Sequence, residues 1–164
     1  LQYLRETIPG FEDAYIVAQS HLGVRETRRI IGDYVLTIDD VRGNARFADV
    51  VALNCRGLDY HLKGTVFKFT GLKGHHDVPL RALLPQKVEN LLVAGRSIAC
   101  DHLSQASLRG AATCLATGHA AGVAAALAAK KGGVVREVDI REIQKTLIIQ
   151  DAVLGVGDRA RLFE

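Results

Sequence analysis

The residues with the clearest chemical use lie just past the middle of the chain. Gly95 and Arg96 open a polar loop that contains His102, and Ser107, Leu108 and Arg109 follow it. An apolar run precedes the loop and a long Ala/Gly-rich segment follows it. This order puts a turn and a helix start beside two arginines and a histidine. Helix starts carry unpaired N–H groups and the positive end of the dipole, and they favour phosphates or an electron-rich carbonyl oxygen. Arg109 adds a full positive charge there. The chemistry indicated is anion holding. No GxSxG elbow or nucleophile–base pair points to hydrolysis, and no residue stands out as a catalytic acid or base.

Other reactive side chains carry less. Cys55, Cys100 and Cys114 are odd in number and lack a CxxC pair, which fits free thiols in a reducing, cytoplasmic setting. Cys114 reads as a small packing residue more readily than as a redox thiol. His75-His76-Asp77 is at most half a metal site. No second ligand pair has zinc spacing, so a solvated polar turn over Gly71–Asp77 is expected and no metal is assigned. Arg25, Arg28 and Arg29 form a basic cluster with neither a nucleic-acid motif nor stacking aromatics, and salt bridges are their default role.

The elements that position these groups follow from the pattern. Leu1–Gly10 reads as a short helix ended by Pro9-Gly10. Ala14–Ser20, Val24–Thr37, Ala48–Asn54, Thr65–Thr70 and Val78–Leu84 have extended character, with Gly32 a candidate bulge. Thr37 followed by Asp39 and Asp40 predicts a helix start. Asn90–Ala94 (NLLVA) is continuously apolar, as expected of a strand buried on both faces. A polar loop from Arg96 to about Ser104 precedes a helix expected over about Gln105–Lys131. Residues 106–129 contain 11 Ala and 3 Gly. Gly110, Cys114, Gly118, Gly122 and Ala126 recur every four positions and give a nearly bare ridge; Leu115, His119, Val123 and Leu127 form a bulkier stripe. The ridge invites close approach by a helix, a sheet or a flat ligand. The apolar stretch Leu115–Ala129 contains His119 and falls short of a membrane span. Asp139-x-x-Glu142 resembles a capping box and is expected to open a last amphipathic helix with Ile140, Ile143, Leu147 and Ile148 on one face. Asp151–Glu164 reads as a loosely held tail.

The whole chain has 164 residues, 48% of them hydrophobic and 24% charged, which excludes a disordered, collagen-like or disulfide-stapled protein. The net charge of +3 does not by itself call for nucleic acid or an anionic membrane. The chain begins at Leu1 and contains no Met, which reads as a piece of a longer polypeptide.

The run Asn90-Leu91-Leu92-Val93-Ala94-Gly95-Arg96, Asp101-His102, Ser107-Leu108-Arg109, Thr113-Cys114 and Gly118-His119-Ala120-Ala121-Gly122 resembles the C-terminal part of bacterial FAD-dependent oxidoreductases of the glutathione-reductase-like superfamily. Gly23–Ile30 with Gly32-Asp33-Tyr34, Val78–Pro85 and Val138-Asp139 resemble the same family, so the likeness covers about residues 20–153. His61 after Asp59-Tyr60 matches a further position with no assigned role. The resemblance implies that Gly95-Arg96 passes the ribityl-phosphate side of FAD. It also implies that Ser107-Leu108-Arg109 aims helix N–H groups at the pyrimidine edge of the flavin, and that His102 lies by the ring. A helix dipole and an arginine would stabilise the negative charge that reduction places near N1 and O2. Hydride would pass between a small-molecule substrate and flavin N5.

The family's GxGxxG and its following acidic residue are absent; Gly155-Val156-Gly157-Asp158 is a lone fragment. The expected FAD would therefore bind weakly or not at all without a separate N-terminal dinucleotide-binding unit. Gly110-Ala111-Ala112 also replaces bulkier family residues. The fold expected is α/β, or α+β by strict count: mixed sheet segments, a buried strand leading into the long helix, then a C-terminal helix. Residues 1–89 form a strand-rich, substrate-facing region, 90–153 complete the FAD site, and 154–164 are the tail. The competing reading is a noncatalytic packing module without cofactor, whose apolar faces favour homo-oligomers.

Overall fold

A computed structural model describes residues 1–26, 28–61 and 67–155. It is a mixed α/β arrangement. Helix α1 (Gln2–Thr7) is short and exposed, and α2 spans Ile38–Gly43. Strands β1 (Val50–Asn54), β2 (Leu58–His61), β3 (Phe67–Thr70) and β4 (His76–Pro79) follow, then α3 (His102–Leu108), α4 (Ala111–Lys130) and α5 (Ile140–Ile149). Both sheets are two-stranded and antiparallel, β1 with β4 and β2 with β3. Asn54 pairs with His76 and Ala52 with Val78, with an irregularity between Val50 and Ala52.

Local chemistry sets several boundaries. Thr37 and Asp40 form a reciprocal capping box on α2, as their spacing predicts. The α2 exit places Asn44 in the left-handed region at φ 53°, where Asn is tolerated. Val50–Leu53 supply a β-branched and apolar run whose Val51 and Ala52 enter the core. Asp139 caps α5 by accepting from Arg141 N at 3.0 Å. Ile143, Leu147 and Ile148 of that helix are buried, while Ile140 packs at the core margin.

The core runs through Leu36, Val51, Val78, Leu83, Ile98 and Leu108 to Val123, Ala124, Ile143 and Leu147. It draws on both sides of residue 90. The buried face of α4 is Thr113, Thr117, Ala120, Val123, Ala124 and Ala128. Leu115 is 74% exposed, and an added Cβ at Gly118 or Gly122 meets nothing within 4 Å. By length and composition α4, with 20 residues, is long and apolar enough to cross a membrane.

Four expectations are corrected. Asn90–Ala94 is not a buried strand: it is a turn and extended chain, partly exposed, whose Val93 N–H donates to Leu83 O at 2.9 Å. Among the described residues no strand lies alongside to pair with it. The helix expected over Gln105–Lys131 is two helices. α3 starts earlier because Asp101 caps it, and the break falls at Arg109-Gly110. Ala14–Ser20 forms no strand, and Val24–Thr37 contributes only isolated bridges, Gly32 to Pro85 and Leu36 to Cys100. Residues 151–155 are not loosely held throughout, because Leu154 is buried in the core. The rest of the expected tail, 156–164, lies outside the described residues, as do Thr27 and the start of the extended run at 65–66.

Candidate functional site

The site forms where β2 and α3 meet the segment before α2. Three side chains hold residues 24–26 in place. Arg96 Nη1 donates to Val24 O at 3.2 Å, and Gln105 Nε2 donates to Arg25 O at 3.2 Å. His102 Nδ1–H donates to Glu26 Oε1 at 2.8 Å; the carboxylate can only accept, which fixes the proton on that nitrogen. Arg29 pairs with the same Glu26 oxygen. Burial works to raise the Glu26 carboxyl, but the hydrogen bonds from His102 and Arg29 outweigh it and hold the group below its usual range.

On the opposite wall, Asp59 is 8% exposed. Its Oδ2 lies 2.7 Å from Arg56 Nη2 and 3.1 Å from Arg109 Nη2. Arg109 Nη2 also donates to Asp59 O at 2.8 Å, and Arg56 Nη1 donates to Ala106 O at 2.7 Å. The Arg56 hydrogen bond is the main reason the Asp59 carboxyl sits below its usual range; it overcomes burial, with help from the charges of Arg109 and Arg25. Asp59 Oδ1 is buried with no hydrogen-bond partner among the described residues. Between these walls is a cavity of about 190 Å³, lined by Arg25, Glu26, Asp59, Tyr60, His102, Gln105, Ala106 and Arg109.

Behind α3 lies a saturated polar network. Asn54 Nδ2 donates to Ser107 Oγ at 2.7 Å and to His76 Nε2 at 2.9 Å, and Thr113 Oγ1 donates to Asn54 Oδ1 at 2.6 Å. Ser107 Oγ in turn donates to Arg56 O. His76 Nδ1–H donates to Asp77 O at 3.2 Å. Both ring nitrogens are thus committed as in a neutral imidazole, and burial lowers the His76 pKa. Asn54, His76, Ser107 and Thr113 are all buried. Buried polar groups need partners, and this set supplies them from β1, β4, α3 and α4 together.

The expected site residues divide accordingly. His102 and Arg109 come together on the cavity. Arg96 is turned to Val24. Leu108 is 1% exposed and belongs to the core, and Ser107 faces the buried network. Ser107-Leu108-Arg109 closes α3 and does not open a helix, because the chain breaks at Gly110. The open helix start is that of α4, where no side chain caps Gly110 and where Ala111 and Ala112 are exposed. Gly95, at φ +74°, donates its N–H to Thr117 Oγ1 at 3.0 Å, and its own Cβ position would lie 3.8 Å from Cys114. Only glycine adopts that conformation readily. Cys114 is half-buried, Cys55 exposed, and burial pushes the Cys100 thiol up to about 11. His76 and Asp77 do not form a solvated turn; both are buried in β4. No group of three metal-ligating side chains occurs among the described residues. The side chain of His61 lies outside the described set.

Sequence reasoning missed Asn54, Arg56, Asp59 and Gln105 as site-forming residues. The only local signal was the Arg56-x-x-Asp59 spacing, which their ion pair uses.

The scaffold is mixed α/β, with a guanidinium-rich cavity and an uncapped start to its long helix. The family model for FAD dependent oxidoreductases matches residues 1–147, and the chain belongs to that family. No curated protein and no solved structure matches it.

Proposed function

We propose that this chain completes the FAD site of a flavin-dependent oxidoreductase and faces its substrate, working with a dinucleotide-binding unit that carries the phosphate-binding GxGxxG. The observation that carries this reading, beside the family membership, is the uncapped start of α4 with Arg109 immediately before it. A 20-residue helix presents positive charge at that end, Ala111 and Ala112 are exposed there, and the Arg56 side chain packs against Gly110. These features fit the electron-rich pyrimidine edge of a flavin. Gly95, bare and pressed against the second turn of α4, fits close approach of the ribityl-phosphate side.

FAD, when bound, supplies the two-electron acceptor for hydride taken from the substrate. This chain's own residues orient and enclose. Arg109 is held by Asp59 and cannot swing freely. His102 is held by Glu26 at the cavity edge. The exposed ridge of α4 through Gly118 and Gly122 offers a docking face to the dinucleotide-binding unit.

The test is the visible absorbance of the purified protein after mixing with excess FAD and desalting, repeated with the dinucleotide-binding unit present. Flavin retained by the assembled protein and lost on Arg109→Ala supports the reading. Failure of the assembled protein to retain flavin overturns it.

A further inference from the structure

The cavity between α3 and β2 has an uneven charge inventory. Four guanidinium groups, those of Arg25, Arg29, Arg56 and Arg109, line it or bind the carboxylates that do. Two carboxylates, Glu26 and Asp59, oppose them, leaving an excess of two positive charges (4 − 2). Each carboxylate already has two partners: Glu26 is shared by Arg29 and His102, Asp59 by Arg56 and Arg109. Arg25 makes no side-chain hydrogen bond or ion pair among the described residues, although its backbone carbonyl is fixed by Gln105. The Tyr60 hydroxyl, on the same cavity, is likewise uncommitted among the described residues. Asp59 and Gln105 give the cavity a well-buried wall, at 8% and 2% exposure.

We infer that this cavity binds the oxyanion group of a small substrate, a carboxylate or a phosphate, with Arg25 as its charged partner and Tyr60 as a second donor. The inference names the substrate class of the site under "Proposed function" and rests on that reading for its place beside the flavin. A guanidinium offers paired donors that match an oxyanion's two oxygens. The other three guanidinium groups are tied to Glu26 or Asp59 by ion pairs, whereas Arg25 is not, so Arg25 is the cation left to meet a ligand. A volume of about 190 Å³ takes a charged head group and not a whole dinucleotide.

The test uses ligand-observed NMR titrations of acetate and of inorganic phosphate against the full protein, at constant ionic strength. Visible absorbance reports its flavin content in parallel. Saturable binding of one probe is expected, weakened about tenfold or more by Arg25→Ala, the loss of a charge-assisted contact. Arg25→Lys should lose less, and Tyr60→Phe should weaken binding with flavin content unchanged. Whichever probe binds identifies the head group. Binding of neither, or binding that Arg25→Ala leaves intact, overturns the inference even when flavin is retained. Lower flavin content in Arg25→Ala with unchanged probe binding also overturns it and assigns Arg25 to the cofactor. Arg25-dependent probe binding by a protein that takes up no flavin sustains the inference and sinks the flavin reading alone.

Discussion

Asp101 accepts the backbone N–H of Ile38 at 2.8 Å with one carboxylate oxygen, and with the other it accepts Ser104 N at 2.7 Å. One side chain therefore serves the first turns of α2 and α3, which are far apart in the chain. Asp101→Ala should cost about 2–4 kcal/mol, roughly two cap interactions of ~1–2 kcal/mol each. Asp101→Ser should recover the α3 share only. Urea unfolding of the three proteins measures this; a loss below about 1 kcal/mol for the alanine variant would show that the double cap is not needed.

The same carboxyl predicts an acid limb. Burial raises its pKa, but the N–H groups of Ser104 and Ile38 outweigh burial and the net shift is downward. A folded pKa below the unfolded value means the contribution is complete above the unfolded value of about 3.9 and is lost as pH falls through the folded one. The Asp101→Asn variant should therefore show a flatter fall in urea midpoint below about pH 4.

His76 acts in a higher window. Its pKa is lowered chiefly by burial, so the unfolded chain takes up the proton first. Stability should be full above the unfolded value of about 6.5 and decline as pH drops below it. Imidazole ¹⁵N shifts in the native protein should show the proton on Nδ1 at neutral pH. A protonated ring at pH 7 would contradict the saturated network.

Asn54→Ala should be among the costlier polar substitutions, at about 3 kcal/mol or more, because it strands His76, Ser107 and Thr113 in the interior. Ser107→Ala removes one member and should cost about 1–2 kcal/mol. A double-mutant cycle between the two positions should show coupling of about 1 kcal/mol; additive losses would mean the contacts act independently.

Gly110 and Gly118 should respond oppositely to alanine. A Cβ at Gly110 would fall 2.6 Å from Arg56 Cδ, on a side chain held by both Asp59 and Ala106, so Gly110→Ala should destabilise the protein and disturb the Asp59 pair. A Cβ at Gly118 meets nothing, so Gly118→Ala should stabilise this chain by up to about 1 kcal/mol through helix propensity. Under the proposed docking of a dinucleotide-binding unit on that ridge, the same change should lower flavin retention. Thermal melts and flavin absorbance of both variants separate the two effects.

The parts of the fold that were legible beforehand are those fixed by near neighbours in the chain. The Thr37 box, the Asp139 cap and the Ile143–Leu147–Ile148 stripe each need only a few consecutive residues. Asn90–Ala94 has the composition of a buried strand, but strand formation depends on a partner that composition cannot supply. His76 looked like part of a polar turn because its partner Asn54 is 22 positions away. The start of α3 was readable in principle, since Asp101 stands three residues before Ser104, but the charged and polar content of the loop concealed it. For the site, the sequence singles out His102 in a loop and Arg109 at a helix start, and the fold instead sets them at the two ends of α3 on one cavity. Asp59 and Gln105 were not, because only the packing of β2 and the 24–26 segment against α3 turns them toward the same space.

The hold on residues 24–26 has a kinetic consequence. The three bonds from Arg96, Gln105 and His102 span 72, 80 and 76 positions of sequence. Each requires closure of a large loop, so this wall of the cavity forms only once distant parts of the chain have met. The cavity should therefore be assembled late on the folding route. A compound that fills it should leave the rate of folding unchanged and slow unfolding, lengthening the life of the native state.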